Sequence, residues 1–289
     1  MKFGKIGVII IGLVPFNVYA ECTPAPDCAS IGYTETSCEG DFVKCPFDTS
    51  KLFCIPCDSS FKYDCSGENI TGGTGSACGG KYVSCECVTN YIFDNGSCIC
   101  PEIAEADCLV GAIYYPDGKC SNDYVACLNP VGVVVKDNAL VMSWRKSSNI
   151  TWASNTTTNT SLTDITPIAS VKTDYDGKNN TAVIVATYSN DTIENNAAVY
   201  CYNYAPTGME SSKGQWYLPA AGEVYDYIYG NHTTLNTIYT THLGSFVAYY
   251  WTSSEYSTDY AWCIHSTGGN MYGNGSKGNY QAVSCFLAL

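Results

Sequence analysis

Gly214-Gln215-Trp216-Tyr217-Leu218-Pro219-Ala220-Ala221-Gly222-Glu223 decides the reading of the C-terminal half. A helix is predicted to open after Leu218-Pro219 and to run from Ala220 to about Tyr229. Val224, Tyr227 and Ile228 would make its apolar face, and Gly230-Asn231 would stop it. Upstream, Ile193, Ala197, Tyr200, Cys201 and Tyr204 recur at helical spacing, which predicts a helix over Thr192 to Tyr204 capped by Asp191 or Thr192. The apolar run from Thr181 to Tyr188 reads as a strand or a helix start. Pro130-VGVVVKDNALVMS reads as two short strands around a turn at Lys136-Asp137-Asn138. Downstream, short aromatic strands are expected around Tyr249-Tyr250-Trp251, Ala261-Trp262-Cys263-Ile264 and Ala282-Val283-Ser284-Cys285-Phe286. A hairpin, two helices and a β-rich end in that order predict an α+β domain over residues 129–289.

The region before Asn129 has a different composition. Fifteen of the 18 cysteines lie between Cys22 and Cys127, whereas all five Trp and most of the 24 Tyr lie beyond it. Cys38-EGDFVK-Cys45, Cys78-GGKYVS-Cys85 and Cys120-SNDYVA-Cys127 share the pattern C-x3-[Phe/Tyr]-Val-x-C, and Cys28, Cys65 and Cys108 precede the three copies. Residues 21–128 therefore read as about three tandem modules of ~40 residues. Each aromatic-Val pair is expected on a short strand between two bridges. Modules this small bury too little apolar surface to fold alone, and disulfides make up the deficit.

Met1 to Ala20 reads as a secretory signal peptide. Lys2 and Lys5 precede an apolar core from Ile6 to Val14, and Val18-Tyr19-Ala20 places small side chains where the peptidase needs them. Export puts the cysteines in an oxidising compartment, where thiols pair, and predicts a secreted or cell-surface protein. The formal net charge is -13; without Lys2 and Lys5 the chain carries 12 basic against 27 acidic groups. Such a balance argues against nucleic acid and against anionic lipid as partners. No later stretch is apolar for 18 residues, so no membrane span is expected after the leader.

Other patterns read as structural. Cys54-Ile55-Pro56-Cys57 is a single C-x2-C with no histidine in its half, so it is not read as a zinc site. Gly72-Gly73-Thr74-Gly75 lacks the Lys-Ser/Thr of a phosphate loop. Asp174, Asp176 and Gly177 lack the later ligands of a calcium loop and read as a turn. Glu223 is expected to cap its helix or anchor a loop. No metal and no cofactor are expected.

The quoted stretch resembles the W-x-L-P-x-x-x-E signature of the C-terminal domain of Lcl-type collagen-like adhesins. So do Tyr250-Trp251-Thr252-Ser253-Ser254-Glu255-Tyr256 and Asp259-Tyr260-Ala261-Trp262. The match spans roughly Pro130 to Leu289. That family is similar to the C-type-lectin-like fold in its formylglycine-generating-enzyme variant. The resemblance implies a lectin-like domain on an exported or surface-attached bacterial protein and, in one branch, adhesion to glycans. The N-terminal half resembles Cys-rich repeats of gut bacterial exported proteins. The Gly-x-y tract of the collagen-like adhesins is missing. So is the basic surface that sulfated polysaccharides want: from Pro130 onward there are 7 basic and 11 acidic groups.

The resemblance also implies a bridge from Cys201 to Cys285, which leaves Cys263 for the odd cysteine of the N-terminal half. The rival pairing is Cys263 with Cys285, with Cys201 as the interdomain partner. The formylglycine-generating relatives use two close cysteines, and Cys201, Cys263 and Cys285 do not form such a pair. No catalytic residue is expected. Trp216, Leu218, Trp251 and Trp262 are expected in the core. Ligand contacts are expected from Tyr256, Asp259, Tyr260, Tyr272 and Asn274, in Ser/Gly/Asn-rich loops. The resulting expectation is a non-catalytic, adhesin-like binding protein for a glycan or a surface protein. The alternatives are a purely structural envelope component and an oxidase related to the formylglycine-generating enzymes.

Overall fold

The computed structural model describes residues 40–44, 52–56, 62–74, 81–156, 160–246 and 248–289. The leader and Cys22, Cys28, Cys38, Cys45, Cys57 and Cys78 lie outside them. The chain divides into two compact units, Met1–Pro101 and Glu102–Leu289.

The first unit is built of two-stranded ribbons. β1 (Gly40–Lys44) pairs antiparallel with β2 (Leu52–Pro56), placing Phe42 opposite Cys54. β3 (Ile70–Thr74) pairs with β4 (Ser84–Cys87), and β5 (Ile92–Asp94) with β6 (Ser97–Ile99). Asn95 and Gly96 link the last two with φ of 45° and 93°. Two left-handed residues in succession are what a tight hairpin loop needs to match strand twist. The buried apolar residues described here are two cysteines, Cys85 and Cys98, bonded to Cys65 and Cys87 respectively. The bridges thus stand where a larger domain would have a core.

The second unit contains two sheets. The six-stranded sheet contains β7 (Ile113–Tyr114), β8 (Cys120–Ser121), β9 (Gly132–Lys136), β10 (Leu140–Ser143), β12 (Trp216–Tyr217) and β17 (Phe286–Ala288). Its order is β12-β17-β10-β9-β7-β8. The five-stranded sheet has the order β11-β16-β13-β14-β15, from β11 (Ser147–Ile150), β13 (Tyr249–Glu255), β14 (Tyr260–His265), β15 (Met271–Ser276) and β16 (Gln281–Val283). The third cysteine motif belongs to this unit: Cys120 is bonded to Cys108, and β7 pairs with both β8 and β9.

Among its described residues are five α-helices, α1 (Ile168–Val171), α2 (Gly177–Thr187), α3 (Ala197–Tyr202), α4 (Ala221–Glu223) and α5 (His232–His242). None exceeds 11 residues. The fold is therefore mainly β-sheet with a few short helices, which corrects the expected α+β, C-type-lectin-like class. The helix around Cys201 is present but shorter than expected. Asn196, fully buried, accepts from the N–H groups of Ala198 and Val199 at 2.9 and 3.0 Å and starts α3 five residues later than expected. Asp191, one of the two expected caps, instead accepts from Ser154 N and Asn196 Nδ2 at 3.0 and 2.9 Å. The helix after Pro219 is α4 for three residues and then a π-helical turn, Val224–Tyr229.

β9 is buried on both faces. Along β9, Val134 joins one buried cluster with Trp152, Ile184, Trp216 and Trp251; Val133 and Val135 join the other with Tyr239, Tyr250, Trp262 and Phe286. A strand covered on both faces reads as a continuous hydrophobic run instead of an alternating one. Trp216, Leu218, Trp251 and Trp262 are all buried. Their indole N–H groups reach partners, Trp251 at Ile150 O (3.0 Å) and Trp262 at Ile165 O (2.7 Å) among them. Buried indoles need such acceptors. No helix among the described residues is long and apolar enough to cross a membrane.

Candidate functional site

The expected ligand residues fall on β14, β15 and the turn that precedes β14. Tyr256 and Asp259 lie in the turn between β13 and β14, Tyr260 begins β14, and Tyr272 and Asn274 lie in β15. β15 is thus a strand at the sheet edge where a loop was expected. Its pairing with β14 supplies backbone bonds that its Gly/Asn-rich sequence does not advertise. Tyr256 turns inward and packs edge-on against Trp262 with ring centroids 5.4 Å apart. A Cβ on Gly273 would stand 2.3 Å from the Tyr256 ring, so glycine is what lets it fit. Tyr272 is paired with Cys263 in the β14–β15 register, so the two share the sheet face opposite to that of Trp262 and Gly273.

Tyr272 has neighbours that sequence reasoning missed. Its ring meets Tyr249 edge-on at 5.6 Å, and Tyr249 meets His265 at 4.6 Å. Tyr249 and His265 are paired residues of β13 and β14, so three adjacent strands each give one ring to a common patch. Tyr249, at the start of β13, is 42% exposed and Tyr272, near the start of β15, is 37% exposed. The charge and hydrogen bond of Tyr272 push the Tyr249 phenol above its ordinary pKa, so the Tyr249 hydroxyl remains a neutral donor and acceptor at physiological pH. Within Tyr249-Tyr250-Trp251 only the first ring faces solvent, since Tyr250 and Trp251 are both buried.

Beside the patch lies Cys263, 4% exposed and unbonded. Among the described residues no cysteine is bonded to Cys263, whose side chain packs in the apolar cluster that holds Trp251 and Cys285. Burial pushes its thiol up to about 11. Cys201 is bonded to Cys285, and both are fully buried.

Glu223 is the most perturbed carboxylate described, raised to about 7. Burial is the largest cause. The N–H of Ala220 (2.8 Å to Oε2) and the hydroxyl of Tyr217 (2.9 Å to Oε1) oppose it, and the charge of Asp174 adds to it. Both oxygens are occupied by donors that fix the start of α4. Among the described residues, no three His, Cys, Asp or Glu side chains converge as a metal site.

A separate groove of about 360 Å³ lies where Trp144 and Arg145 leave β10 and meet the segment after α3. Tyr124 forms one wall, stacked on His242 at 4.0 Å and on Trp144 at 5.5 Å between centroids. Tyr204 forms the other, held edge-on to Trp216 at 5.0 Å.

No family model matches the sequence, so membership of the adhesin-domain family is not shown, and no curated protein matches it. Among solved structures, a fimbrial protein from Bacteroides ovatus is similar, with a TM-score of 0.47 and 20% identity over 62% of this chain. The alignment covers 48% of that protein, so this chain spans about half its length.

Proposed function

We propose that the chain is an exported, adhesin-like binding protein that recognises a glycan, or alternatively a surface protein, without catalysis. The observation that carries the reading is the Tyr249–Tyr272–His265 patch. Exposed tyrosines on a rigid sheet offer apolar area with hydroxyls at the rim, and they lose little side-chain entropy on binding. The disulfides support export, since such bonds persist in oxidising compartments. The thiols support the absence of catalysis. Cys201 and Cys285 are committed to each other, and Cys263 is a buried, protonated thiol at neutral pH, whereas a nucleophilic cysteine needs a depressed pKa and access.

A glycan array probed with the whole chain tests this. Binding to a defined set of glycans is expected. An empty array together with thiol-dependent turnover of a peptide substrate would replace the reading with the oxidase alternative.

A further inference from the structure

Arg145 is the chain's sole arginine among 289 residues. It lies in the lining of the groove beside Trp144, and among the described residues no carboxylate forms an ion pair with it. No Asp or Glu contributes to the lining, although the protein carries 27 acidic residues. The groove is therefore a locally positive concavity on a negative molecule. Its position is fixed: the backbone of Arg145 is hydrogen-bonded to the Tyr204 phenol and accepts from Ser143 Oγ at 2.9 Å.

We propose that this groove binds one carboxylated sugar residue, with Arg145 holding the carboxylate. A guanidinium presents a planar fork of donors that matches a carboxylate bidentately. Tyr124 and Tyr204 supply aromatic walls for the C–H faces of a pyranose ring, and the Asn129 amide and Thr207 hydroxyl supply neutral partners for its hydroxyls. A cavity of about 360 Å³ is at the small end of the usual range for small ligands, which suits a single ring. The single cation and the net charge of -13 disfavour a polyanion such as a sulfated polymer, which the protein's field would repel. The site shares no residue with the Tyr249–Tyr272–His265 patch and stands independently of it.

The test is calorimetric titration of the whole protein with methyl β-glucuronide and with methyl β-glucoside, which differ in the carboxylate alone. The glucuronide is expected to bind at least about tenfold more tightly. Arg145→Gln is expected to erase the difference without lowering the melting temperature, because the side chain is exposed. Tyr249→Ala with Tyr272→Ala is expected to leave it intact. Equal affinity for the two sugars, retained preference in Arg145→Gln, or loss of preference in the tyrosine variant would overturn the assignment. Tighter binding of a short peptide through its C-terminal carboxylate would overturn it as well. The tyrosine variant separates this result from the reading above, which fails if that variant binds its partner unchanged.

Discussion

Lys277 and Glu255 form an ion pair from which solvent is excluded on both sides. Glu255 also accepts from Thr160, and Lys277 Nζ donates to Thr258 O at 2.6 Å and lies 4.6 Å from the Trp152 ring centroid. The pair ties the end of β13, the turn carrying Asp259 and the loop before α1 into one arrangement. Removing one partner leaves a buried charge alone, which costs about 3–5 kcal/mol. Lys277→Met is expected to lower the urea midpoint accordingly. Lys277→Met combined with Glu255→Gln is expected to recover part of the loss, and equal destabilisation by both variants would remove the pair from this account.

The Cys201–Cys285 bridge closes a loop of 84 residues by sequence separation. A loop of that size constrains the unfolded chain by about 4 kcal/mol. Replacing both cysteines with alanine is expected to lower stability by that order. The variant should still bind its partner under conditions where it remains folded, because neither sulfur reaches the surface. Chemical denaturation of parent and variant measures the difference.

Cys263 is expected to resist thiol reagents in the native protein and to react once the protein is denatured. Its burial and its pKa of about 11 both suppress the thiolate. Rapid modification of the native protein at neutral pH would mean that β14 opens or that the thiol is accessible.

Glu223 gives stability a pH dependence of definite sign. Its folded pKa of about 7 lies above the ordinary value of 4.5, so the folded state holds the proton more tightly than the unfolded chain does. Stability is therefore greatest below the unfolded pKa and falls as pH rises towards 7. The full effect is of the order of 3 kcal/mol. Glu223→Gln is expected to flatten this portion of the profile, because the neutral amide still accepts from Ala220 N. Parallel profiles for parent and variant between pH 4 and 8 would show that another group controls the slope.

Much of the core was legible in the sequence, and much of the surface was not. The turn at Asn138, with φ of 49°, and the hairpin of β9 and β10 follow the Lys-Asp-Asn signal between two valine-rich runs. The tryptophans read as core because their neighbours are apolar at strand spacing. α5 was missed because its sequence, HTTLNTIYTTH, is rich in weak helix formers, and its burial rests on Leu235 and Tyr239 alone. β15 was missed because its glycines disguise an edge strand as a loop. Tyr249 escaped notice because it opens an aromatic strand whose next two members are buried. The capping role of Glu223 was legible, since a glutamate three residues after Ala220 is placed to accept from that N–H.

The central claim is that the exposed rings of β13 and β15 recognise a partner. The most direct measurement is a glycan array read in parallel with the parent protein and with Tyr249→Ala/Tyr272→Ala. These side chains are largely outside the core, so the variant should melt within a few degrees of the parent. The account predicts that the parent marks a related set of glycans and that the variant loses signal on that set by about tenfold or more. Retention of the full signal by the folded variant would contradict it.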